Sequence, residues 1–285
     1  MKIGIGLPAT LPHIAGSLIL DWARQAEMGP FSSLGVIDRV VYPNYEPLTT
    51  LAAVAGVTRR LRLVTAILLA PLRSASLLAK QSASLDALSG GRLTLGLGVG
   101  AREDDFVATA TAFRHRGKRM EEQLDLMTRL WSGQAFSEEV GPIGPQPLQP
   151  GGPEVLIGGH SPAAIERVGR WGQGSIAGVG APYTTNQHFR LVEETWSKRS
   201  KAGKPRLVGC VYFGLGPGAT ERTNAYIGDY YGPYAQWIAG GAFSTEETVK
   251  TALQAFADIG TDELLLFPCI PALDQLDRLA QLVGG

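Results

Sequence analysis

The chain has 285 residues, and its 26 basic and 26 acidic side chains leave a formal net charge of zero. That balance removes the electrostatic case for nucleic acid or an anionic membrane surface as partner and favours a small-molecule substrate. With 45% hydrophobic residues the chain can bury one large core, so a single domain over 1–285 is expected; its two cysteines and four scattered histidines offer neither a disulfide framework nor a metal site.

Strand-like runs cover 2–7, 34–38, 61–67, 92–97, 154–158, 174–177, 206–213 and 263–267. Amphipathic helical stretches lie between them at 17–28, 47–57, 74–88, 120–131, 162–171, 186–198, 245–259 and 273–282. Each strand is thus followed by a helix. That alternation predicts an α/β fold, a (β/α)8 TIM barrel, with its chemistry on loops at the carboxyl ends of the strands. The chain enters its first strand directly from Lys2, with no apolar run long enough for a signal peptide or a membrane span, and a cytoplasmic protein is expected.

Two regions exceed the needs of a barrel. Residues 132–153, rich in Gly and Pro, should form an irregular excursion over the barrel mouth, either a lid or a plain surface loop. Residues 216–241 carry Tyr226, Tyr230, Tyr231, Tyr234 and Trp237. At helical spacing these aromatics can line a pocket, meet a neighbouring subunit or pack on the barrel.

Three stretches can carry chemistry. Asp38-Arg39 ends the second strand, where a barrel enzyme presents catalytic side chains, although both residues can equally serve as ion-pair partners. Ser89 to Gly100 reads as a glycine turn, a buried strand and a glycine-rich exit. There Gly98 and Gly100 bring bare backbone close to a ligand, in GxGxG rather than dinucleotide spacing. Gly158-Gly159-His160-Ser161-Pro162 follows a strand and opens a helix. Ser161 suits the cap and Pro162 the first helical position, which makes either an ordinary turn or a helix amino terminus that binds phosphate.

Leu77-Leu78-Ala79-Lys80-Gln81, Ser84-Leu85-Asp86, the 89–100 stretch and the block 155–164 together resemble the bacterial-luciferase-like flavin oxidoreductases. With 2–8 and 263–268 the likeness covers nearly the whole chain. The resemblance implies that Gly158, Gly159, His160 and Ser161 hold the cofactor's phosphate, that Leu68, Leu69 and Ala70 pack on the flavin ring, and that Gly174, Ala177 and Gly178 form another wall. Deazaflavin-dependent relatives have Asp-His where this chain has Asp38-Arg39. An arginine cannot carry protons near neutral pH, so it would instead stabilise negative charge on a reduced flavin, a peroxide or a substrate carbonyl. Ala101 stands where similar proteins often have Trp.

The function expected from the resemblance is a flavin-dependent monooxygenase or oxidoreductase using reduced FMN on a small organic substrate, with a separate flavin reductase as candidate partner. The alternatives are hydride transfer with the deazaflavin coenzyme F420, and a non-catalytic flavin-binding protein. The aromatic run and the habits of similar proteins suggest a homodimer.

Overall fold

The structure, a computed structural model, describes residues 1–284. Nine parallel strands are β1 (Lys2–Gly6), β2 (Ser33–Val36), β3 (Arg62–Leu69), β4 (Leu93–Gly98), β5 (Glu154–Gly158), β6 (Gly174–Ile176), β7 (Arg206–Phe213), β8 (Ala242–Phe243) and β9 (Glu263–Pro268). The helices are α1 (Gly16–Met28), α2 (Pro47–Val57), α3 (Ala75–Ser89), α4 (Glu103–Ala108), α5 (Arg116–Trp131), α6 (Pro162–Trp171), α7 (Pro182–Lys198), α8 (Ala219–Tyr231), α9 (Ala235–Ile238), α10 (Glu246–Asp258) and α11 (Asp274–Val283). Strands β1 to β6 pair in chain order, β6 pairs with β7, β7 with β9, and β9 with β1. The sheet therefore closes into an eight-stranded TIM barrel, and β8 is a two-residue addition beside β7. No helix among the described residues is long and apolar enough to cross a membrane.

Strand alternation divides the apolar residues into two layers. On β4, Leu93, Leu95 and Leu97 face outward into the core beneath the helices, while Gly96 and Gly98 face the axis. On β7 and β9, Val208, Cys210, Tyr212, Leu265 and Phe267 fill the barrel itself.

Four elements depart from the expected pattern. Helix α4 occupies a stretch that reads as a polar loop; its opening acids Glu103, Asp104 and Asp105 suit a helix amino terminus. Helices α5 and α7 begin earlier than their apolar periodicity suggests, α7 at a proline in its first turn. Helix α8 turns part of the aromatic run into an ordered element. On the surface of α5, Lys118 approaches Glu122 at 3.8 Å, and Glu121 reaches Arg167 at 3.0 Å.

The amino-terminal end of the barrel is stoppered by ion pairs. Arg206 bridges Glu154 and Glu263, Arg62 reaches Glu154 at 3.3 Å, and Ser33 donates to Glu263 at 2.6 Å. Residues 132–153 end here, not at the mouth. They lead from the end of α5 back to the start of β5, and Gln149 fastens them to Asp86 at 2.6 Å and to the Leu93 carbonyl at 2.7 Å. The lid expectation for this segment is therefore corrected: a helix-to-strand connection closes at the opposite end from the strand exits.

Candidate functional site

The carboxyl ends of the strands form a mouth with two unlike halves. On the side of β4, β5 and β6 the inward positions are Gly98, Gly158 and Gly178. On the side of β7 and β9 they are Tyr212 and Phe267. A register shift between Thr65 and Leu68 of β3 sends both Ala66 and Ile67 toward the interior. Ile67 enters the space left by two of the missing side chains: its side chain would overlap a Cβ on Gly98 or on Gly158.

This bulge moves the expected ring-packing residues. Leu68 is fully buried in the layer beneath the helices, Ala70 joins it there, and Leu69 packs with Leu72 and Phe106. The half-buried side chains at the mouth are those of Ala66 and Ile67. Bulges are not visible in hydrophobic periodicity, which explains the offset.

At the exit of β5, Gly159 has φ +121°, a conformation that other residues rarely adopt. Ser161 caps α6, its Oγ accepting from the Ala164 amide at 3.2 Å, and Pro162 follows in the first turn. Ser161, Pro162 and Ala163 are exposed; Pro162 has no amide hydrogen and the Ala164 amide is held by Ser161, which leaves the Ala163 amide as the free donor of the first turn. The His160 imidazole crosses to β6, where its Nε2 would lie 3.1 Å from a Cβ on Gly178. It also meets the His188 ring edge-on at 5.2 Å. His188, on α7, is held by Ser175 at 2.7 Å, and burial lowers its pKa to about 4. The imidazole is neutral at ordinary pH.

Two residues expected at the β6 wall lie elsewhere. Gly174 starts β6, opposite Arg206, at the stoppered end of the barrel; a Cβ there would run into the Arg206 backbone. Ala177 is fully buried in the outer layer. Gly100 packs near Phe106 and Leu69 just beyond β4.

Asp38 and Arg39 point in opposite directions, as neighbours beyond a strand do. Asp38 is buried on the outer side, accepting from the Leu69 amide at 2.8 Å and from Arg73 at 2.6 Å. It fastens the β2 exit to the β3 exit. Arg39 turns toward the mouth and donates to the Tyr230 carbonyl at 2.9 Å, its guanidinium lying 4.8 Å from the Tyr42 ring centre and 5.2 Å from that of Tyr230.

Helix α8 covers the aromatic half of the mouth. Tyr226 hydrogen-bonds Thr10 at 2.7 Å and Tyr231 bonds Tyr212 at 3.0 Å. Burial raises the phenols of Tyr212, Tyr226 and Tyr230 far above their ordinary range and that of Tyr231 to about 12. These groups stay protonated near neutral pH and can act as hydrogen-bond donors. Burial also pushes the Cys210 thiol up to about 12 and Cys269 higher still, so neither is a nucleophile. The outer members of the aromatic run, Tyr234 and Trp237, are exposed.

Fold and mouth together define a (β/α)8 barrel of the class whose strand-end loops carry the chemistry. The chain belongs to the luciferase-like monooxygenase family, whose description matches residues 1–264. An uncharacterized protein of Mycobacterium tuberculosis is 31% identical over 214 residues, 64% of this chain and 71% of the relative. An F420-dependent secondary alcohol dehydrogenase, solved with an F420-acetone adduct, superimposes with a TM-score of 0.83 at 17% identity, covering 100% of this chain and 99% of the other. The oxygenating constituent of 3,6-diketocamphane monooxygenase from Pseudomonas putida, solved with FMN, gives a TM-score of 0.77 at 16% identity, covering 99% and 98%.

Proposed function

We propose that this chain is a flavin-dependent oxidoreductase, a monooxygenase that takes reduced FMN and acts on a small organic substrate, supplied with reduced flavin by a separate reductase. The observation that carries the reading is the glycine half of the mouth. Gly98, Gly158 and Gly178 leave a shallow floor of backbone and Ile67 on which a flat ring can lie, beside the open first turn of α6. Gly159, His160 and Ser161 would hold the phosphate through backbone amides and the Ser161 hydroxyl, where the helix end favours an anion. Bound there, the flavin would supply the electrons and the activation of oxygen. Ala66 and Ile67 would support the ring from below without hydrogen bonds. Helix α8 would exclude water from the opposite side, and Arg39 would provide a fixed positive charge beside the reacting atoms.

A second reading is hydride transfer with coenzyme F420, supported by the fold shared with the F420-dependent secondary alcohol dehydrogenase. It uses the same mouth. Arg39 favours the first reading, because a guanidinium cannot exchange a proton with an alcohol near neutral pH. Native mass spectrometry of the protein mixed with FMN and F420 tests both, followed by oxygen uptake with the reduced form of whichever is retained. Retention of FMN with substrate-dependent oxygen uptake is expected. Retention of F420 alone, without oxygen uptake, would establish the second reading, and tight flavin binding without turnover on any substrate would identify a flavin-binding protein.

A further inference from the structure

Two guanidinium groups meet at one point of the mouth. Arg39, beyond β2, and Arg102, beyond β4, donate to the same acceptor, the Tyr230 carbonyl, at 2.9 and 3.0 Å. Among the described residues neither lies within 4.0 Å of a carboxylate oxygen. The acids nearby are engaged elsewhere: Asp38 with Arg73, Asp229 with the Tyr42 hydroxyl, and Asp105 with the Val40 and Val41 amides. The Arg39 Nε is buried and has no hydrogen-bond partner. A buried donor without an acceptor costs free energy, and so do two like charges sharing one neutral oxygen. A main-chain carbonyl satisfies two of the donors and neutralises neither charge.

We propose that Arg39 and Arg102 form the binding site for a carboxylate group of the organic substrate, whose oxygens take the place of the Tyr230 carbonyl. The inference deepens the proposed function, resting on the mouth as the active site. Two planar forks suit the two oxygens of a carboxylate, and Arg39 Nε gains the acceptor that it lacks. The remainder of the substrate lies among aromatic faces, since Tyr42 and Tyr230 stack edge-on at 4.9 Å and Tyr230 and Tyr231 at 4.8 Å. An aromatic carboxylate meets both requirements. The arginines follow β2 and β4 and the α6 first turn follows β5, so the carboxylate and the cofactor's phosphate would contact different residues. If the two arginines only cap the carboxyl end of α8, they have no preference for an anionic ligand.

The test is calorimetric titration of benzoate and of its neutral counterpart benzamide into the full chain, with and without FMN. Benzoate should bind at least about tenfold more tightly than benzamide, and Arg102→Gln and Arg39→Gln should each abolish that preference while FMN affinity changes little, as expected of a charge-assisted site. In the unaltered protein, benzoate and not benzamide should speed amide exchange at 228–234 as the Tyr230 carbonyl is released, a readout that does not depend on the variants folding. Equal affinity for the two probes, unchanged benzoate preference in both folded variants, or no change in exchange would overturn the proposal. So would competition between benzoate and FMN, because the anion site would then belong to the cofactor. Failure of FMN to bind while the benzoate preference persists would count against the flavin reading and leave the carboxylate site standing.

Discussion

Ile67 and Gly98 are a matched pair: the bulge on β3 drives the isoleucine into the volume that the glycine on β4 leaves empty. Gly98→Ala should cost about 1–3 kcal/mol through overpacking. Adding Ile67→Ala should recover part of the loss, because the second change removes the obstacle. Urea unfolding of both single variants and the double variant gives the coupling directly, and simple additivity would show that the two side chains do not compete.

The β5 exit supports a prediction about cofactor affinity. Ser161→Ala removes the α6 cap, worth about 1 kcal/mol of stability, and Gly159→Leu forces a large side chain into a left-handed conformation. Both variants should stay folded and bind FMN at least about tenfold more weakly, on the helix-terminus argument. Fluorescence titration with FMN and with F420 reads the effect; unchanged affinity for both would remove this turn from the site.

Asp38 is expected to act on stability rather than on chemistry. Its carboxylate is buried and holds Arg73 and the Leu69 amide. Asp38→Asn removes one of the two carboxylates that pair with Arg73, the other being Glu46 at 3.1 Å, and should lower stability by about 2 kcal/mol. Activity per folded molecule should hold. A variant of full stability with no activity would return Asp38 to the reacting centre.

The buried His188 predicts how stability depends on pH. Its folded pKa of about 4 lies below the ordinary 6.5, so the unfolded chain takes up a proton first as pH falls. The contribution is whole above pH 6.5 and is lost progressively down to about pH 4, roughly 3 kcal/mol in all. Thermal denaturation of His188→Gln between those limits should show a flatter profile than the parent. An equal slope would assign the pH dependence to other groups.

The assembly can be tested separately. Tyr226 and Tyr230 are buried in the mouth, which leaves Tyr234 and Trp237 as the exposed aromatics of the run. We propose a homodimer that covers them. Light scattering should report twice the chain mass, and Trp237→Ser should shift the equilibrium toward the monomer; a monomer mass for the parent would end the proposal.

Much of the barrel was legible in the chain because its strands are short apolar runs followed by amphipathic helices. The β5 turn was legible too, since glycine, cap and proline are local signals at fixed positions. What was lost depended on geometry between elements. The apolar pattern of the run 61–70 does not tell which residues a bulge turns inward, and it is Ile67 that turns inward and Leu68 outward. Gly174 and Gly178 look alike in sequence, yet four residues of extended chain, about 13 Å, put them toward opposite ends of the barrel. The meeting of Arg39 and Arg102 was equally hidden, since it requires a carbonyl on α8 that is distant in sequence from both.

The ion pairs that stopper the amino-terminal end also constrain traffic. With Arg206 wedged between Glu154 and Glu263 and the interior filled by Cys210, Tyr212, Leu265 and Phe267, a ligand of the strand exits arrives from the mouth side. Where a cofactor lies on the floor of the mouth and a substrate lies over it, the cofactor is expected to enter first and leave last. Inhibition patterns should then reveal an obligatory sequence of arrivals, and an excess of the late-arriving molecule should trap the early one inside.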